Sequence, residues 1–270
     1  MNRMALLFVL FALSISIAGC NKADDPPHKK VNDPPHNEKH FLVDKIYDYH
    51  DKLVGDFIYD DNDRLIKCMY RSIYEEQSTD YDFTYSANRV SVIAKTHQNF
   101  PGFNNEVHIS YNADGQIIRS EIHQPGTIWG GMNYSYDANG RVKSIYSDEG
   151  DRKYFPDYKG TSNIVTVKCI LKDPDWGTTY EFDRKFTYDT HPKPDFGIGN
   201  IFQVEMLPFF GTEATTESYL SKNNMASMVG GTKWIYTYNS DGLPATIETK
   251  WKDIEHDVIL LKIKYRQVDR

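Results

Sequence analysis

From residue 41 onward, apolar and polar residues alternate over short runs separated by turn-forming clusters. Tyr81-Phe83-Tyr85, Val107-Ile109-Tyr111, Met132-Tyr134-Tyr136 and Trp234-Tyr236-Tyr238 each keep a period of two. That period places the named side chains on one face of a strand. After the last tyrosine come Asn112-Ala113-Asp114-Gly115, Asp137-Ala138-Asn139-Gly140 and Asn239-Ser240-Asp241-Gly242. Asn and Asp side chains bind their own following amides, and the glycine takes the positive φ that closes a tight hairpin. A second β-rich run then follows, such as Leu65-Ile66, Val90-Ser91-Val92 or Ile117-Ile118. Asp60-Asp61-Asn62-Asp63 and Ser86-Ala87-Asn88 are degenerate forms of the same turn. No helical period competes over residues 41–190.

The tyrosines before these turns are Tyr59, Tyr85, Tyr111, Tyr136, Tyr188 and Tyr238, with gaps of 26, 26, 25, 52 and 50. A repeat of this length is one supersecondary unit, and the doubled gaps leave room for a weak copy near Tyr158 and for an insertion near residue 213. Tyr265 opens a terminal half-copy. The pattern predicts an all-β domain over residues 41–270, an antiparallel meander of consecutive hairpins with about 14 strands. Residues 193–231 interrupt it with a dense apolar run from Phe196 to Phe210, expected to cap the sheet and to form helical turns at 198–207 and 214–222. Strand 258–265 is expected at a sheet edge, where a partner could add a strand.

The segment 136–142, Tyr-Asp-Ala-Asn-Gly-Arg-Val, resembles the YD repeat of Rhs-type proteins, with looser matches at 111–117, 238–243 and 59–65. The whole of residues 41–270 is similar to a Bacteroidetes lipoprotein family built from such hairpins. The supporting features are Tyr188-Asp189, Pro194-Asp195-Phe196, Leu220-Ser221-Lys222-Asn223-Asn224 and the hairpin 236–251. The resemblance implies the hairpin fold and no particular activity.

The amino end reads differently. Arg3 precedes an apolar run from Met4 to Ala18, shorter than the ~20 residues a membrane-spanning helix needs and suited to a secretory signal. It ends in Ser16-Ile17-Ala18-Gly19-Cys20, which resembles a lipobox. Residues 1–19 are therefore expected to be a signal peptide, with Cys20 lipidated at the start of the mature chain. Residues 20–40 then form a tether: Asp-Pro-Pro-His occurs at 25–28 and again at 33–36, and each Pro-Pro favours polyproline II. Twenty residues at ~3.1 Å each reach about 60 Å. Lys22, Asp24 and Asp25 look like a surface-export signal of some Bacteroidetes lipoproteins. The expected location is the outer membrane, with outward display.

Charge supports a lipid anchor over surface adsorption. The chain carries 31 Lys+Arg against 38 Asp+Glu, net −7. Loss of Arg3 with the signal leaves 30 against 38, or −8. Such a chain has no electrostatic footprint for nucleic acid or anionic lipid. Two cysteines remain besides Cys20. Cys68 and Cys169 lie in apolar strand patterns and are expected to be buried free thiols.

The chain has no Gly-x-Ser-x-Gly, no phosphate-binding glycine loop, no His-Glu-x-x-His and no Cys-x-x-Cys. His97, His108, His123, His191 and His256 are scattered singly, and His28, His36 and His40 belong to the tether and its end. Asp137-x-Asn139-Gly140 resembles the start of a calcium loop, but the same slot holds the other repeat turns. No catalytic residue, metal or cofactor is assigned. Trp129, Trp176 and Trp251 are the candidate ligand-binding residues, because tryptophans on loops can stack on sugar rings or anchor a protein partner. The expected function is a noncatalytic glycan- or protein-binding module, with a structural or assembly component of an envelope complex as the alternative and a hydrolase as the least favoured one.

Overall fold

The computed structural model describes residues 39–71, 78–173, 175–198, 220–250 and 259–268. Sixteen strands follow one another: β1 (His40–Tyr47), β2 (Leu53–Tyr59), β3 (Leu65–Arg71), β4 (Ser78–Ser86), β5 (Arg89–His97), β6 (Asn105–Tyr111), β7 (Ile117–Gln124) and β8 (Thr127–Tyr136). The second half comprises β9 (Val142–Ser147), β10 (Arg152–Asp157), β11 (Thr166–Lys172), β12 (Thr179–Pro192), β13 (Asn223–Met228), β14 (Lys233–Tyr238), β15 (Pro244–Lys250) and β16 (Ile259–Val268). Each strand pairs antiparallel with the next, and β16 pairs with β1, so the meander closes into a barrel. The hairpin meander is as expected, with sixteen strands in place of about fourteen. Closure overturns one expectation: segment 258–265 is not an edge, because β16 is paired with β15 on one side and β1 on the other.

One local device recurs around the wall. In five hairpins the tyrosine before the turn pairs with an apolar residue just past it: Tyr59 with Leu65, Tyr85 with Val90, Tyr111 with Ile117, Tyr136 with Val142 and Tyr238 with Pro244. The next residue is then skipped by the register, a bulge of two residues against one. The skip explains why the buried positions after each turn are three apart: Leu65 and Cys68, Val90 and Ile93, Ile117 and Ser120, Val142 and Ile145.

The turns have the predicted chemistry. Asp137 Oδ1 accepts from the amides of Asn139 and Arg141, both at 2.9 Å, and Gly140 sits at φ 75°. Asp60 accepts from Asn62 and Arg64 in the same way, with Asp63 (φ 58°) in the glycine's place. Ala87 and Asn88 both have positive φ, giving the two-residue turn that matches strand twist.

Five tyrosines then tie a hairpin to the strand or hairpin before it. Tyr85 donates its hydroxyl hydrogen to the carbonyl of Leu65 (2.9 Å), Tyr111 to that of Val90 (2.7 Å) and Tyr136 to that of Ile117 (2.7 Å). Tyr265 donates to Pro244 (2.8 Å), and Tyr59 donates to Val43 (2.6 Å). Each of the first four acceptors is the residue that pairs with the preceding repeat's tyrosine. The arginine of the repeat adds a second link. Arg64 and Arg141 hold Oδ2 of Asp60 and Asp137 through Nε and Nη2, while their guanidinium groups lie over Tyr85 and Tyr158 at 4.8 and 4.5 Å. Tyr158 is buried and fills the tyrosine slot of the weak copy.

Inward side chains form one apolar cluster drawn from all around the barrel, including Ile46, Phe57, Ile93, Val107, Val167 and Ile247. Outward positions carry ion pairs such as Lys45–Asp56, Lys67–Asp80, Lys168–Glu181 and Lys250–Glu248. Cys68 and Cys169 are buried free thiols, as expected.

The insertion acts as a cap where it is described. Residues 193–198 run against β1: the Val43 amide donates to the Asp195 carbonyl (2.8 Å), and the Phe196 ring lies 5.1 Å from that of Phe57, inside the barrel. Phe196 and Ile198 are buried. The helical turns expected at 198–207 and 214–222 fall mainly on residues outside the described ones. The signal peptide, Cys20 and residues 20–38 of the tether also lie outside them.

Candidate functional site

Strand parity sorts the connections onto two rims. The tyrosine turns, the described residues 193–198, the start of β1 and the end of β16 share one rim. The other rim carries the β1–β2, β5–β6, β7–β8 and β11–β12 connections. Trp129 and Trp176 belong to this second rim, opposite the start of β1. Trp251 lies outside the described residues.

Local structure holds the two described tryptophans outward. The tip of the β11–β12 hairpin is closed by Asp173, whose Oδ1 accepts from the amides of Asp175 (2.9 Å) and Trp176 (3.1 Å), with Gly177 at φ 64°. Trp176 is left 82% exposed. Trp129 follows the Pro125-Gly126 turn at the start of β8 and is 66% exposed, beside exposed Ile128. Phe100 and Phe103 flank a single 3-10 turn (Pro101–Phe103) between β5 and β6, and meet edge-to-face at 6.1 Å. Both are exposed, as is Tyr49 in the β1–β2 connection. Isolated exposed apolar residues are ordinary, but so many large ones on one rim are a feature. Trp129 and Trp176 do not form one stacking platform. They sit on β8 and next to β12, four strands apart, or about 19 Å along the wall at ~4.8 Å per strand. Phe100, Phe103 and Tyr49 were not singled out from sequence. Phe100 and Phe103 sit on a connection without a Tyr-Asp turn, whereas Tyr49 lies inside one: Asp48 Oδ1 accepts from the amides of His50 and Lys52, both at 2.9 Å.

The concave features lie elsewhere. A groove of about 410 Å³ runs between the β8–β9 turn and residues 158–162, lined by Tyr136, Arg141 and Tyr158. A second, of about 340 Å³, lies where the β5–β6 and β7–β8 connections meet the wall, lined by Lys95, Asn104, Asn105, His123 and Pro125. Neither holds a described tryptophan.

Charged side chains cluster at two places. On the outer wall Arg119 grips Asp148 with both terminal nitrogens (2.6 and 2.8 Å) and Glu121 with one (2.9 Å). Asn133 also donates to Asp148 (2.8 Å). The Arg119 hydrogen bonds hold the Asp148 carboxyl below the usual carboxylate range. The group spans Gly131, where a Cβ would lie 2.8 Å from both Asp148 Oδ2 and the Ser120 carbonyl. Next to it the rings of His108 and His123 stack at 4.1 Å. At the tyrosine rim, Asp189 accepts from Tyr238 and Asn224, and His191 stacks on Tyr238 at 3.7 Å. Burial pushes the Lys193 amine down to about 8. Among the described residues no three His, Cys, Asp or Glu side chains converge as a metal site. Asp137, in the calcium-like segment, has its carboxylate engaged by Arg141 and two backbone amides, as turn chemistry requires.

The sequence matches no family model and no curated protein. Among solved structures, it is similar to a porin-like protein from Bacteroides uniformis, at 13% identity and a TM-score of 0.50, over 78% of this chain and 90% of that one. A porin-like protein from Bacteroides vulgatus matches at 12% identity and a TM-score of 0.39, over 83% and 99% of the two chains. The Tc holotoxin pore of Photorhabdus luminescens matches at 11% identity and 0.24, over 80% of this chain and 13% of that one. The first shares the fold.

Proposed function

We propose that this protein is a lipid-anchored envelope component of a Bacteroidetes-type lipoprotein family, whose barrel is a noncatalytic binding module for a glycan or protein partner. The exposure of Trp129 and Trp176 on the rim opposite the start of β1 carries the reading. An exposed tryptophan offers a flat apolar face and a single N–H donor at low entropic cost, which suits stacking on sugars or seating in a partner's pocket. Cys20 supplies the anchor, acyl chains contributing about 0.8 kcal/mol per buried CH₂.

A pore is not the reading we favour, despite the word in its structural neighbours' titles. Membrane-spanning channels place an apolar band outside and a polar lumen inside. Here most described inward positions are apolar, and the outer face carries ion pairs among scattered exposed residues such as Ile58 and Phe155.

Two experiments test the proposal. A glycan array probed with the protein and with Trp129→Ala and Trp176→Ala variants should show binding that either variant reduces at least tenfold. Signal unaffected by both variants would remove the rim from the account. Cys20→Ala should abolish palmitate incorporation and release the protein from membranes; labelled palmitate still incorporated would refute the anchor.

A further inference from the structure

The barrel wall is not equally tall all round, and the step exposes a strand edge. β12 pairs with β11 along Thr179–Lys185, but its partnership with β13 begins only at Phe186, opposite Met228. The Val229 amide reaches the Lys185 carbonyl (2.8 Å), and there the β13–β14 turn carries the chain away. Residues 179–184 therefore have no strand on their second side among the described residues. Direction along the strand is fixed by the Phe186 amide, which donates to Val165 on the β11 side (3.0 Å). Backbone groups alternate sides, so those of Thr179, Glu181 and Asp183 point to the open edge. Six residues at ~3.4 Å give an edge of about 20 Å.

The side chains make this edge a receptor rather than a blunted end. Natural edges are protected by charged side chains, lysine above all, by inward-pointing charges, proline, bulges or shortness. Here the open stretch has no proline, no lysine and no register shift in its pairing with β11, and its inward-facing charge, Arg184, stands at the end where β13 begins. On the concave side Tyr180 and Phe182 are 53% and 39% exposed, although their neighbours in the same rows, Cys169 and Leu171, are not. On the outer side stand Glu181 and Asp183, with Lys168 reaching Glu181 at 2.8 Å. The edge is thus acidic outside and aromatic inside, with Arg184 over the Phe182 ring (5.7 Å) at its inner end.

We infer that the Thr179–Asp183 edge of β12 is a strand-addition site for an extended polypeptide of a partner protein, one that alternates basic and apolar residues. Main-chain hydrogen bonds to Thr179, Glu181 and Asp183 supply the affinity. Basic side chains on the outer face meet Glu181 and Asp183, and apolar ones on the inner face cover Tyr180 and Phe182. A second copy of the chain fits less well. Antiparallel self-pairing about Phe182 sets Glu181 against Asp183 twice, and pairing about Asp183 sets that carboxylate against itself. The site lies beside Trp176 on the aromatic rim but does not rest on glycan binding there.

The test titrates the full chain with the capped peptide Thr-Lys-Val-Lys-Val-Lys-Thr, with its Glu-for-Lys counterpart, and with a version N-methylated at alternate residues. The lysine peptide should bind saturably, and the N-methylated one at least tenfold more weakly. Glu181→Pro removes one edge N–H without touching the β11 ladder and should weaken binding at least tenfold; Thr179→Pro serves if that variant fails to fold. Asp183→Lys should reverse the preference between lysine and glutamate peptides. No saturable binding, equal binding of both peptides, or binding unchanged by the proline variants would overturn the inference. A concentration-dependent dimer abolished by Glu181→Pro would overturn it too, by giving the edge to a second copy.

Discussion

Tyr59→Phe isolates the tyrosine link at the point where it has most to hold. β1 and β2 pair only at Lys45–Tyr47, so Val43, registered with Tyr265 of β16 on one side, has no partner in β2 on the other. Its amide is satisfied by the Asp195 carbonyl and its carbonyl by the Tyr59 hydroxyl at 2.6 Å. Val43 is fully buried. An average hydrogen bond contributes about 1 kcal/mol net, but stranding a buried carbonyl costs about 1–3 kcal/mol. For a domain of this size each kcal/mol moves the melting temperature by about 2–4 °C, so a loss of about 2–12 °C is expected. Tyr146→Phe is the matched control: that ring is exposed on the outer wall, and the change should stay within about 0.5 kcal/mol. Thermal and urea unfolding of both variants decide the matter. If Tyr59→Phe melts with the control, the link between repeats is decoration and the reasoning fails.

Four further outcomes follow from the same geometry. Burial raises the phenols of Tyr85 and Tyr111 to about 12. The unfolded chain loses these protons near pH 10 and the folded one near 12, so stability is intact below about 10 and falls as pH rises between the two. A urea midpoint flat from pH 9 to 12 would contradict this. Gly131→Ala should cost about 1–3 kcal/mol, because its Cβ meets the Ser120 carbonyl and displaces Asp148 from Arg119; chemical denaturation reads it. Burial raises the Cys68 thiol and both cysteines are inaccessible, so a thiol reagent should label neither in native protein and both in denaturant. In a planar bilayer the purified chain should give no stepwise conductance, and discrete openings would count against the apolar interior.

Much of the wall was legible because it is local. Tyr136-Asp137 and Arg141 lie within six residues, and the turn, the carboxylate and the guanidinium specify one another before any distant contact forms. The bulge was legible only in hindsight. Leu65 with Cys68 and Val142 with Ile145 break the period of two, which reads as noise until both members are seen to face inward. Closure was not legible at all. Ile46 opposite Ile263 is a pairing across more than two hundred residues, and neither strand carries a residue that names its partner. The misplaced edge has the same cause: 258–265 looks terminal in sequence, whereas the open edge of β12 exists because β13 is short. Trp129 and Trp176 were legible as candidates, but their separation depends on strand count.

The account depends most on the seam between β1 and β16. Phe41 is registered opposite Gln267. A Phe41→Cys/Gln267→Cys variant should oxidise to an intramolecular disulfide in the folded chain and melt higher than its reduced form, while Phe41→Cys/Arg266→Cys, offset by one residue onto the other face, should not crosslink. Failure of the first pair to close, or equal closure of both, would show that the two ends of the sheet do not meet in this register.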